Sequence, residues 1–252
     1  MSHPLRAATV AALLSCAPPP ARPAAVSRTA QVQPSVVEWS VGITDKDGPT
    51  PLIETVLPTT YQGRPVWRVV HRDGDPTSDG AASWYDLYDV DRATLAPVRS
   101  VMHRDGSDLV LTFQPDRVTI DRRTGDEHNA TEVMVRDPMP EGPGESVLLS
   151  SLPLAVGYRT SFDIVDRWDE AHPVKRIDLS VERADPLQTP LGRCDVVAVV
   201  LAPRDGSFRI REWRRSAPPH HPVKTEYTRG PLVLVSEVRL IVAGDVAPCE
   251  PP

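Results

Sequence analysis

Turn signals recur along this chain and cut it into short pieces. Asp47-Gly48, Asp73-Gly74, Asp79-Gly80, Asp105-Gly106, Thr124-Gly125 and Asp205-Gly206 are spread over most of its length. An Asp-Gly pair tolerates positive φ, and the resulting turn has the twist of two paired strands, so each pair marks a hairpin. Between the turns, residues alternate with period two. Leu109, Leu111 and Phe113 share a face opposite Val110, Thr112 and Gln114, and Val118 and Ile120 alternate with Arg117, Thr119 and Asp121. The same pattern holds for Val133 and Val135, and for Phe162 and Ile164. Such alternation is the signature of half-buried strands. Proline, at 28 of 252 residues, withholds N–H groups and excludes long helices and a coiled coil.

Later segments are more apolar. Cys194 to Ala202 is nearly continuous, as expected of one strand covered on both faces, and Leu232 to Val242 is similar, with Glu237 and Arg239 marking a wet face. One stretch differs. After the loop Asp137–Gly144, Glu145 to Leu152 has two helical turns' worth of apolar side in Val147, Leu148, Leu149 and Leu152, ended by Pro153. The expected fold is all-β with one short helix. It is a single strongly curved antiparallel β meander, or half-open barrel, of ten to twelve strands over residues 35–244, its open end plugged by the helix.

The first sixteen residues read as an address. Arg6 precedes the apolar run Ala7–Leu14, and Leu13-Leu14-Ser15-Cys16 resembles the lipobox of bacterial lipoproteins. The expectation is a signal peptide over 1–15, with Cys16 as the lipidation site. A Pro-rich tether follows over 16–34, whose Ala17-Pro18-Pro19-Pro20 favours extended polyproline II, and a flexible tail over 245–252 ends the chain. The resemblance to lipoproteins implies export and anchoring on the periplasmic or extracellular side of a membrane. With Ala17 after the Cys, the outer membrane is favoured in a cell with two. Cys194 and Cys249 then remain as an even pair in an oxidising compartment, and a disulfide between them and two free thiols are both open readings. Net charge is −6 from 28 basic and 34 acidic residues, which argues against nucleic acid as a partner.

Several phrases occur in an order that resembles a known family. They are Asp91-Arg-Ala-Thr-Leu-Ala-Pro97, Leu152-Pro-Leu-Ala-Val-Gly157, Thr189-Pro-Leu-Gly192, Glu212-Trp213 and His221-Pro-Val-Lys-Thr-Glu-Tyr227. Together they resemble the bacterial envelope proteins of domain of unknown function 3108, over about Trp67 to Glu237. The resemblance implies an exported antiparallel β protein with a curved sheet similar to that of lipoprotein carriers, and it supplies no catalytic residues. The chain departs from that pattern in a longer segment from Pro34 to Gln62 and in its Pro-rich tail.

Motifs of common enzymes are missing or incomplete. Gly144-Glu-Ser146-Val-Leu148 lacks the closing Gly of a nucleophile elbow. Asp86, on a strand, points away from Asp89 and Asp91, and Asp91 reads as a turn initiator. Asp45-Lys-Asp47-Gly48 is too short for a calcium loop. His220-His221 reads as a surface loop, and His71, His103, His128 and His172 follow no metal spacing. Arg209, Arg211 and Arg215 share a face with Trp213, a stripe best read as a solvated face paired with cross-strand carboxylates. No catalytic residue, cofactor or metal is therefore expected. The leading expectation is a non-catalytic envelope protein whose sheet holds an apolar or lipid-like ligand, lined by Trp67, Trp84, Leu109, Leu111, Phe113, Leu148 and Leu149. The alternatives are a structural module that pairs with an envelope protein, and a hydrolase with an unrecognised site. Carboxylates, or a Ser beside a His, converging in a pocket would favour the last.

Overall fold

The computed structural model describes residues 32–43, 48–73, 84–243 and 249–250. The leader with Cys16, most of the tether, Asp45, Asp47, Gly74 and Asp79-Gly80 lie outside them, as does most of the tail. Eight strands come first: β1 (Ser35–Ile43), β2 (Thr50–Tyr61), β3 (Arg64–Asp73), β4 (Trp84–Asp91), β5 (Pro97–Arg104), β6 (Ser107–Phe113), β7 (Arg117–Thr124) and β8 (Glu127–Met134). Helix α1 (Pro143–Ser151) follows. Then come β9 (Arg159–Val165), β10 (Val174–Arg183), β11 (Leu187–Thr189), β12 (Gly192–Cys194), β13 (Val196–Pro203), β14 (Arg209–Arg215), β15 (Pro222–Arg229) and β16 (Leu232–Ala243).

Fourteen of these strands form one antiparallel sheet, ordered β8-β7-β6-β5-β4-β3-β2-β1-β16-β15-β14-β13-β10-β9, and β11 and β12 form a separate hairpin. The all-β meander with one short helix expected from the sequence is the observed class, with more strands than the ten to twelve counted. The excess has local causes. Gln62-Gly63 makes the same positive-φ turn as Asp105-Gly106, with φ of 48° and 79°, although Gln is no turn signal. The apolar run from Cys194 to Ala202 is also two elements: it breaks at Asp195, and Cys194 belongs to the hairpin.

Register carries one inward-facing row across each half of the sheet, buried throughout in the first half and partly covered in the second. Val56, Val69, Tyr88, Ser100, Leu111 and Ile120 stand opposite one another in turn from β2 to β7. Leu179, Leu201, Ile210, Tyr227 and Leu234 do so from β10 to β16. Helix α1 joins the two halves. Val147 packs with Trp67, Val69 and Tyr88, while Leu148 and Leu149 pack with Leu179 and Leu201. Full burial of each leucine stabilises by about 1.5–3 kcal/mol. Gly144 permits the close approach, because a Cβ there would lie 2.7 Å from Tyr88 Cδ1 and from Pro140 Cβ.

The sheet curls until its edges face each other without sharing a ladder. Val165 of β9 packs among Leu109, Leu111, Val118 and Ile120 of β6 and β7. Arg122 Nη2 donates to the Arg167 carbonyl at 3.2 Å, and the Met139 N–H donates to the Asp163 carbonyl at 2.8 Å. The result is a curved, nearly barrel-like sheet whose seam is filled by the segment leading into α1.

On the outside, Asp89 is held between Arg68 and Arg99, at 2.7 and 3.0 Å, while Asp91 accepts the N–H groups of Ala93 and Thr94 in the following turn. The Arg stripe also lies outside: Arg211 sits 5.0 Å over the Trp213 ring and 3.9 Å from Glu182. Arg214, which alternation places on the face of Ile210 and opposite the stripe, points into the interior, where it is fully buried. His220 and His221 are buried beside it, which corrects their reading as a surface loop: the Arg214 guanidinium needs the His220 carbonyl, at 2.9 Å, as a partner. Cys194 and Cys249 are bonded, with Cα atoms 4.8 Å apart, and Arg193 and Glu250 exchange backbone hydrogen bonds of 2.8 and 3.0 Å around them.

Candidate functional site

The inner face of β9 to β16 does not meet α1 everywhere. Where it falls short it leaves a half-open cavity of about 590 Å³. That volume lies within the roughly 300–1,000 Å³ typical of small-molecule sites. One wall is apolar, built from Phe162, Ile164, Ile177, Leu201, Phe208 and Ile210. All but Phe208, which lies in the loop before β14, come from strands of this half of the sheet, and period-two alternation points them to one side.

The opposite wall is charged. Asp86 of β4 receives both terminal nitrogens of Arg167, whose Nε lies 3.3 Å from Glu141 Oε1. Glu141 and Glu145 come from the segment entering α1, and both line the cavity. Burial outweighs the attraction of Arg167 and lifts the Glu141 carboxyl to about 7. Burial together with nearby Glu212 raises Glu145 well above the ordinary range. At the rim, Arg229 Nη2 reaches Asp166 Oδ2 at 3.2 Å. Arg104 lies 5.9 Å from the ring centres of both Trp84 and Trp168, and Trp168 is 51% exposed.

A second polar group lies under the other side of the helix. His71 Nε2 and Ser146 Oγ both donate to Glu54 Oε2, at 2.6 and 2.9 Å. Burial pushes the Glu54 carboxyl up, but these bonds and the charge of Arg214 outweigh it and leave it below its usual value. His221, desolvated and beside Arg214, is pushed down to about 4. A serine nucleophile needs a histidine between it and the carboxylate. Here the carboxylate stands between the serine and the histidine, so Ser146 has no base of that kind. Among the described residues, no group of His, Cys, Asp or Glu is arranged to hold a metal ion.

The residues named from the sequence as ligand-lining lie elsewhere. Trp67, Leu109, Leu111, Leu148 and Leu149 are buried in the core clusters, Phe113 packs beside Tyr88, and Trp84 stands behind Arg104. An apolar pattern marks the inner face but not the part of it left uncovered. The polar wall is set by no local pattern. Asp86 and Arg167 are 81 residues apart in sequence. The available signal was Asp166-Arg-Trp-Asp169, a charged aromatic run directly after a strand.

Solved structures give only distant likenesses. A β-barrel-like protein of domain of unknown function DUF1849 from Brucella abortus has 9% identity and a TM-score of 0.48, covering 85% of this chain and 99% of that one. A candidate lipoprotein from Parabacteroides distasonis has 11% identity and a TM-score of 0.36, covering 85% and 98%. A candidate exported protein with a YmcC-like fold from Bacteroides fragilis has 12% identity and a TM-score of 0.27, covering 84% and 97%. No curated protein matches the sequence. The family comparison reaches further: residues 51–230 match the model described as Protein of unknown function (DUF3108). The match takes in part of the segment before Gln62 that the sequence reading set apart, and the chain belongs to that family.

Proposed function

We propose that this protein is an exported, lipid-anchored component of the cell envelope that holds an apolar or lipid-like molecule in its half-open cavity. The observation that carries the reading is the cavity itself, about 590 Å³ with a wall of aliphatic and aromatic side chains inside an otherwise packed sheet. Protein interiors are normally filled to crystal density, so a space of this size with an apolar lining is suited to a ligand. Anchoring through Cys16 rests on the leader, and the Cys194–Cys249 bond is in keeping with an oxidising compartment.

Binding is tested with N-phenyl-1-naphthylamine, a neutral probe that fluoresces in apolar surroundings, and by solvent extraction and mass spectrometry of the purified full-length chain. Enhanced fluorescence that Ile210→Trp reduces, or a co-purified lipid, supports the proposal. A chain that neither binds the probe nor yields an apolar molecule overturns it. Radiolabelled palmitate incorporated by the parent and lost in Cys16→Ser tests the anchor, and an unlabelled parent would refute it. A second reading, a hydrolase, is favoured by the convergence of Glu141 and Glu145 on one cavity. Turnover of p-nitrophenyl dodecanoate that disappears in Glu141→Gln would establish it, and the absence of turnover would leave binding as the function.

A further inference from the structure

The charges around the cavity are unevenly balanced. Three guanidinium groups line it, those of Arg104, Arg167 and Arg229. Arg167 is held by Asp86 and lies against Glu141, and Arg229 is paired with Asp166. Arg104 has no carboxylate partner among the described residues and stands against the faces of Trp84 and Trp168. The two remaining acids of the wall, Glu141 and Glu145, are buried and pushed towards their neutral forms, so they offer Arg104 little compensation. Position matters as much as charge. Arg104 is exposed at the rim beside half-exposed Trp168, while Phe162, Ile177 and Leu201 lie in the apolar wall.

We propose that the cavity selects amphiphiles with a single anionic head group, the apolar body lying against β9 to β14 and the head meeting Arg104 at the rim. The inference rests on the binding function proposed above and names its ligand class. A planar guanidinium presents paired N–H donors that match a carboxylate or a phosphate, and the two indoles hold it at the opening. A head group at the rim keeps part of its hydration, so the apolar body enters without the cost of burying a charge.

The test is displacement of N-phenyl-1-naphthylamine from the full-length chain carrying Cys16→Ser, which removes any attached acyl group as a competitor. Dodecanoate, dodecan-1-ol and dodecylamine are compared below their aggregation thresholds, with sodium acetate as the anion lacking an apolar body. Dodecanoate should compete about tenfold more strongly than the alcohol or the amine, the range of a charge-assisted hydrogen bond, and acetate should displace nothing. With each variant's competition referred to its own probe affinity, Arg104→Gln should bring dodecanoate and the alcohol within about twofold, and Arg104→Lys should restore part of the preference. Equal competition by acid and alcohol, or a preference that survives Arg104→Gln, overturns the inference and leaves the binding function standing. A chain that binds neither the probe nor any of the three amphiphiles removes both.

Discussion

Replacing Glu141 by Gln should stabilise this protein at pH 8 and change it little at pH 5. The carboxyl is buried in the cavity wall, and its proton affinity rises from an ordinary 4.5 to about 7 because desolvation outweighs Arg167. Between those values the folded protein keeps a proton that the unfolded chain has released. The free energy of unfolding therefore falls as pH rises through the window. At about 1.4 kcal/mol for each tenfold change in proton affinity, the loss reaches about 3 kcal/mol at pH 8 and stays under about 1 kcal/mol at pH 5. Gln has the shape of the protonated acid and cannot ionise, so the difference between variant and parent isolates this one group. Glu54 and Asp91, whose carboxyls are lowered in the folded state, act in the opposite sense, but they are present in both proteins and cancel. Urea unfolding followed by tryptophan fluorescence at pH 5, 6, 7 and 8 gives the difference directly from the midpoints, provided the slopes agree. A difference that is flat across the range, or that favours the parent at pH 8, refutes the account of Glu141 as a carboxyl kept neutral by burial.

Three further outcomes follow from packing and pairing. Arg167→Met leaves the Asp86 carboxylate buried without its two donors and should cost about 3–5 kcal/mol in urea unfolding, part of which Asp86→Asn should recover in the double variant. Reducing Cys194–Cys249, which closes a loop of 55 residues, should lower stability by about 4 kcal/mol in the chain-entropy account, read as the shift in urea midpoint with and without reductant. Gly144→Ala improves helix propensity, yet its Cβ would meet Tyr88 and Pro140 at 2.7 Å, so thermal denaturation should show a net loss of about 1–3 kcal/mol in place of the gain seen at open helix positions.

The legibility of this protein varies with the range of the interaction that fixes each feature. Asp105-Gly106 and Gly125 could be read directly, because a positive-φ turn is a property of the two residues that make it. The face of each strand in β6 and β7 was equally plain, since Leu109, Leu111, Val118 and Ile120 alternate without interruption and are all buried. Asp86 on the opposite face to Asp89 followed from the same rule, and the first meets Arg167 inside while the second meets Arg68 and Arg99 outside. The rule does not extend to loops. It places Arg214 on the inner face with Ile210, but the burial of His220 and His221 beside it depends on the Arg214 guanidinium meeting the His220 carbonyl.

The sequence by itself determined the class, the meander, the helix and its position, because turn chemistry, period-two alternation and proline are local properties of the chain. It also determined which side chains face inward in β6, β7 and β9. Only the tertiary structure decided which of those inward side chains are covered. The cavity exists because α1 reaches the inner face over Leu179 and Val199 but leaves Phe162, Ile210 and Tyr227 only partly covered. Its charged wall exists because curling of the sheet carries Asp86, Glu141 and Arg167 to one place from three separate segments. Neither the extent of a helix's cover nor the meeting of distant ionic groups leaves a local pattern, so both appear only once the chain has closed on itself.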